Sequence, residues 1–225
     1  LDTALQDKIN AFDPSKFEVV ISELADLPTP ILGIIQLEDN TTYRFKGLVN
    51  IGANTLQVGI SNTIFGFDKS DDGIIASGTA IESTNSSLTL NNILINATLG
   101  ISFSNNANHS LQVRECIFSG GKAGLINGGD IIVVNNTVHY TTIGWEMTGN
   151  INKLIFAQNF FENNTALIDI HVFAGTYEVI KIISNSFDVG LGDIGILVDP
   201  SVLIVNNGGG SILSNSFEGA GTYLS

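Results

Sequence analysis

The chain has 225 residues with 22 acidic and 9 basic side chains, a net charge of −13 and only 14% charged residues. It is long enough to bury one substantial core or two small ones, and its composition fits neither a disordered chain nor a coiled coil. The charge excludes a general binder of nucleic acid or of anionic membranes, since both would be repelled.

Cys116 is the single cysteine, so an intrachain disulfide is impossible. No apolar run has the length of a membrane span, and no signal peptide is visible. The first residue is Leu1, which suggests a fragment or a processed product. In chain order, Leu1, Leu5, Ile9 and Phe12 share one helical face, and Asp13-Pro14 ends that helix. A second helical turn is expected around Phe17 to Leu24. Residues 1–30 thus read as an N-terminal cap and linker. Residues 31–225 read as one all-β domain, because short apolar strands alternate there with Asn, Gly, Asp, Ser and Thr clusters.

Those strands repeat. The segments LTLNNILIN, VRECIFSG, VVNNTVHY, FAQNFFEN, ISNSFDVG and LSNSFEGA align on Ile93, Cys116, Asn136, Asn159, Asn185 and Asn215, with spacings of 23, 20, 23, 26 and 30 residues. An apolar residue stands two positions after each: Ile95, Phe118, Val138, Phe161, Phe187 and Phe217. Another stands three before: Leu90, Val113, Val133, Phe156, Ile182 and Ile212. A Gly-containing second strand follows in most units. Units this short cannot hold a core alone and must stack on one another. They lack the frame and helix of a leucine-rich repeat and the length of a propeller blade, so a parallel β-helix is expected. Asn suits a sharp bend, and stacked inward amides would bond the backbone and each other, giving a structural ladder of Asn136, Asn159, Asn185 and Asn215.

NNTVHYTTIGWEMTG and NSFDVGLGDIGILVD resemble the Asn-rich repeats of right-handed parallel β-helix proteins of the pectin-lyase-like superfamily. The likeness covers roughly Asn54 to Tyr223. It implies a right-handed single-stranded solenoid. It also implies a short N-terminal capping helix and the company of phage tailspikes, surface adhesins and polysaccharide-degrading enzymes.

Ile131-Ile132-Val133-Val134 is apolar at both parities, whereas a half-exposed strand would alternate. If Val133, Phe156 and Ile182 point inward, then Ile132, Val134, Ile155, Ala157 and Ile183 form an apolar outward stripe. Covering it calls for a second layer, either a loop of the same chain or, as in tailspikes, a homotrimer.

On the second strands Glu146 and Asp169 are expected at one outward position, with Ser102. Their carboxylates would be about 5 Å apart, the spacing of a retaining glycosidase pair. His171 is a further acid or base, and Trp145 and Tyr140 are sugar-stacking platforms. The polar character of outward positions in such a fold favours the plainer reading, that both carboxylates are ordinary solvated residues of the outer face. The cluster Asp68, Asp71, Asp72 reads as a polar turn before Gly73 rather than a cation site, and the three histidines are not spaced as metal ligands. No metal and no cofactor is expected. The function expected is a virion appendage of tailspike or fibre type, or a surface adhesin, that contacts a polysaccharide or cell-surface glycan. The alternative is a polysaccharide hydrolase or lyase acting through outward carboxylates. The location expected is the virion or the cell exterior, with neither nucleic acid nor membrane insertion.

Overall fold

A computed structural model describes residues 18–105, 108–139, 142–162, 168–205, 210–219 and 222–224. The expected helix Leu1–Phe12 and Tyr140 lie outside the described residues. The rest is a parallel β-solenoid of about 8 turns. Each turn passes through three faces, and the paired strands all run parallel, each to its counterpart one turn before, one turn after, or both.

The first face begins with Glu18–Ile21 on Thr42–Phe45 and runs through Ser61–Gly66, Ser87–Asn91 and Ser110–Arg114. It continues in the last residues of Ile117–Val134 and Ile143–Ala157, then in Gly175–Ile183 and Gly210–Leu213. The second face carries Thr137–His139, Phe160–Glu162, Ser186–Val189 and Ser216–Gly219. The third carries Thr79–Thr84, Ile168–Val172 and Ile194–Val198, with the first residues of Ile143–Ala157. Ile117–Val134 bends through all three faces, helped by Gly120 and by Gly128-Gly129, whose positive φ values suit glycine.

The expected helical turn around Phe17–Leu24 is corrected: Glu18–Ile21 is a strand, and the only helical turn there is the 3₁₀ segment Leu24–Asp26. Paired with Thr42–Phe45, that strand already belongs to the solenoid, ahead of residue 31. Among the described residues no helix is long and apolar enough to cross a membrane.

The register agrees with the repeat. Val113, Val133, Phe156, Ile182 and Ile212 are successive Cα partners on the first face. Phe118, Val138, Phe161, Phe187 and Phe217 are partners on the second. Inside, this places like on like at the rung spacing. The rings of Phe161 and Phe187 stack at 4.8 Å and 9°, and those of Phe187 and Phe217 at 4.9 Å and 10°.

The Asn ladder forms. Asn136 Oδ1 accepts the Cys116 N–H at 2.8 Å, Asn159 Oδ1 that of Asn136 at 3.1 Å, Asn185 Oδ1 that of Asn159 at 3.0 Å, and Asn215 Oδ1 that of Asn185 at 2.9 Å. Each amide also donates to a main-chain carbonyl of the preceding turn. The unusual backbone angle falls one residue earlier than expected. Glu115, Asn135, Gln158, Ser184 and Ser214 hold positive φ, and each immediately precedes a ladder residue. The ladder asparagines secure the bend; their predecessors make it.

One rung escaped the alignment. Asp72 Oδ1 accepts the Gly47 N–H at 2.6 Å, in the manner of Asn136 toward Cys116, while its Oδ2 accepts the N–H groups of Phe67 and Asp68. Burial works to raise its pKa, but these three donors and the positive charge of Arg44 outweigh that and hold the carboxyl below its ordinary range. The stability it supplies is therefore full above the unfolded carboxyl pKa of about 3.9 and is lost as pH falls below that through the native value. Urea melts at pH 7 and pH 3 are expected to show a smaller acid loss for Asp72→Asn than for the wild type.

Candidate functional site

The outward row of the third face runs Ser102, Leu125, Glu146, His171, Leu197. Glu146 thus stands opposite His171 and not Asp169. Lys122, on the preceding turn, places its Nζ 3.0 Å from Glu146 Oε2. Burial pushes the His171 imidazole below its ordinary pKa, against the opposing pull of Glu146 and Asp199. At neutral pH it is an uncharged imidazole beside an ion pair, able to accept or pass a proton. Phe173, exposed one residue beyond the strand, packs edge-on against it at 5.1 Å.

The expected carboxylate pair does not form. Asp169 is only 2% exposed. Third-face strands begin with one extra buried residue, a burial order of half-buried, buried, buried, half-buried, buried. That extra position is filled by Ala80, Gly100, Ala123, Gly144, Asp169 and Gly195 in register. The column is tight: a Cβ on Gly144 would lie 2.1 Å from the Asp169 carbonyl oxygen. A small residue followed by a large apolar one marks this column in most turns. Asp169 breaks the pattern, and strict alternation therefore set it outward.

Trp145 is corrected as well. It is fully buried, edge-on to Phe118 at 5.1 Å and to Phe156 at 5.7 Å, and no sugar can stack on it. The site reduces to Lys122, Glu146, His171 and Phe173 on a sheet surface. Hollows lie elsewhere, among them those around Glu23 to Pro30, around Arg44 and Phe67, and at the last turns beside Ile204. Among the described residues no group of acidic, His and Cys side chains could hold a metal ion.

No family model, no curated protein and no solved structure matches the chain.

The outward apolar rows are present. Ile132 and Ile155 are neighbours in one, and Val134, Ala157, Ile183 and Leu213 follow one another in the next. Ile132, Val134, Ile155 and Ile183 are half-buried, and Leu213 is exposed. The run IIVV is thus apolar twice over: Ile131 and Val133 fill the core, and Ile132 and Val134 line the outside.

Proposed function

We propose that this chain is a structural rod: a right-handed β-helix of the pectin-lyase-like kind, built into a phage tailspike or fibre, or into a related surface adhesin, with a side that contacts carbohydrate. The burial of Asp169 carries this reading, because it removes the carboxylate expected to pair with Glu146 in glycoside hydrolysis. Right-handed winding follows the general preference for parallel crossovers. The Leu1–Phe12 face would close the N-terminal end of the core. The apolar rows would pack three such rods side by side on the virion or cell surface, at roughly 1.5–3 kcal/mol for each fully covered side chain. Light scattering should then give the mass of three chains, and Ile155→Lys should release monomers.

A polysaccharide hydrolase is the second reading, favoured by the uncharged His171 one rung from Glu146. Incubation with neutral and acidic polysaccharides, followed by assays for binding and for new reducing ends, separates the two. The rod is expected to retain glycan, release no ends, and keep its binding in Glu146→Gln. Release of ends that collapses in both Glu146→Gln and His171→Ala would replace the rod with the hydrolase.

A further inference from the structure

One outward row of the first face changes character along the solenoid. Its residues are Val20, Arg44, Phe65, Asn91 and Arg114 in the first turns, then Val134, Ala157, Ile183 and Leu213. The two arginines in the row are the only arginines in the chain. Three rungs separate them, about 14 Å. Beside the row, the turn from first to second face is short in most coils: one residue of positive φ and one ladder residue. In the coil of Ser61–Gly66 it is lengthened to Phe67–Asp72. The added loop sets Phe67 outside, 70% exposed, edge-on to Phe65 at 5.9 Å and under the Arg44 guanidinium at 5.1 Å. Arg44, Lys46, Phe67 and Asp72 line a hollow of about 390 Å³.

We propose that this corner binds an anionic saccharide, with the acidic group on Arg44 and Lys46 and a sugar face on Phe67. The assignment rests on the glycan-contacting reading above and gives it a place. An exposed phenylalanine is costly in water, and a pyranose face is the apolar surface that fits a ring already flanked by cations. A guanidinium holds carboxylate or sulfate through paired N–H donors.

The nearby acids direct their oxygens to the loop's own donors. Asp72 accepts three main-chain N–H groups, and Asp68 accepts the N–H and hydroxyl of Ser70. Glu18 Oε1 lies 2.9 Å from Arg44 Nε, and the guanidinium carries two further nitrogens whose N–H groups can donate to a ligand. Among the described residues Lys46, Lys69 and Arg114 are in no ion pair.

The test measures binding of a sulfated hexasaccharide, a hexauronate and an uncharged hexaglucan by calorimetry at low and high salt. Folding of each variant is checked by its melting curve. At least one anionic ligand is expected to bind more tightly than the hexaglucan and to weaken with salt. Its affinity should fall roughly tenfold or more in Arg44→Gln, the loss expected for a hydrogen bond to a charged group. It should fall also in Phe67→Ala and survive in Phe67→Trp. Lys181→Gln, which removes the same charge from a distant exposed position, should leave it unchanged. The preferred anion tells carboxylate from sulfate. Anion binding that is untouched by Arg44→Gln and Phe67→Ala overturns the site while glycan contact stands. Preference for the hexaglucan overturns the ligand class. Binding of none of the three removes both the site and the glycan reading.

Discussion

Asn159→Leu is expected to lower the unfolding free energy by roughly 2–5 kcal/mol, read as a shift in urea midpoint at unchanged slope. Leucine matches the volume but none of the bonds. Asn159 Oδ1 accepts both the N–H and the Nδ2 of Asn136, while its own Nδ2 donates to the Val133 carbonyl and to Asn185 Oδ1. All of these groups lie in the buried corner, where each one left unpaired costs about 1–3 kcal/mol. Added burial of the leucine offsets part of that. Asn215→Leu should cost less, because Asn215 is half-buried and its Nδ2 donates to the Ile182 carbonyl with no further ladder amide among the described residues. Equal losses at 159 and 215 would mean that the amides do not act as a ladder.

Gly124→Val is expected to be severely damaging, with loss of cooperative melting or a cost on the order of 3–5 kcal/mol. A Cβ at Gly124 would meet Trp145 Cζ3 at 2.2 Å and Cε3 at 2.3 Å. The indole cannot yield, since Phe118 and Phe156 pack on it. The clash should be relieved by its cause: Gly124→Val combined with Trp145→Leu should be more stable than Gly124→Val alone. A strictly additive pair would refute this contact as the source of the damage.

The sequence disclosed what the rungs repeat and concealed what the corners vary. Rows such as Val113, Val133 and Phe156 were legible because a solenoid sets each residue on its own counterpart, so apolar positions recur at fixed offsets from the Asn. The left-handed corner was not, because Glu115, Gln158 and Ser184 meet the same backbone demand with no shared chemistry. Asp72 was hidden by the loop that separates it from Gly66. Phe17, Val20, Ile21 and Leu24 satisfy a helical spacing as well as a strand, and only pairing with Thr42–Phe45 decides between them. Of the candidate site, Glu146 was set outward by alternation and Lys122 went unforeseen. Asp169 was misplaced by the one extra buried residue in each third-face strand, and Trp145 falls inward by the same alternation that turns Glu146 out. The basic corner was out of reach, since Arg44 and Arg114 become neighbours in one row only once the intervening turns are wound.

The parallel strands have a mechanical consequence. Their hydrogen bonds point along the solenoid axis, so tension between the two ends loads the coils in series, and they give way one at a time. Each coil adds about 4.8 Å of height while folded. Its 20 to 30 residues, the separations between successive ladder amides, extend to roughly 70–100 Å when pulled straight. A single yielding coil therefore lengthens the molecule many times more than it shortens the rod. Under a sudden pull, the chain can absorb the extension by surrendering one turn while the remaining turns stay wound.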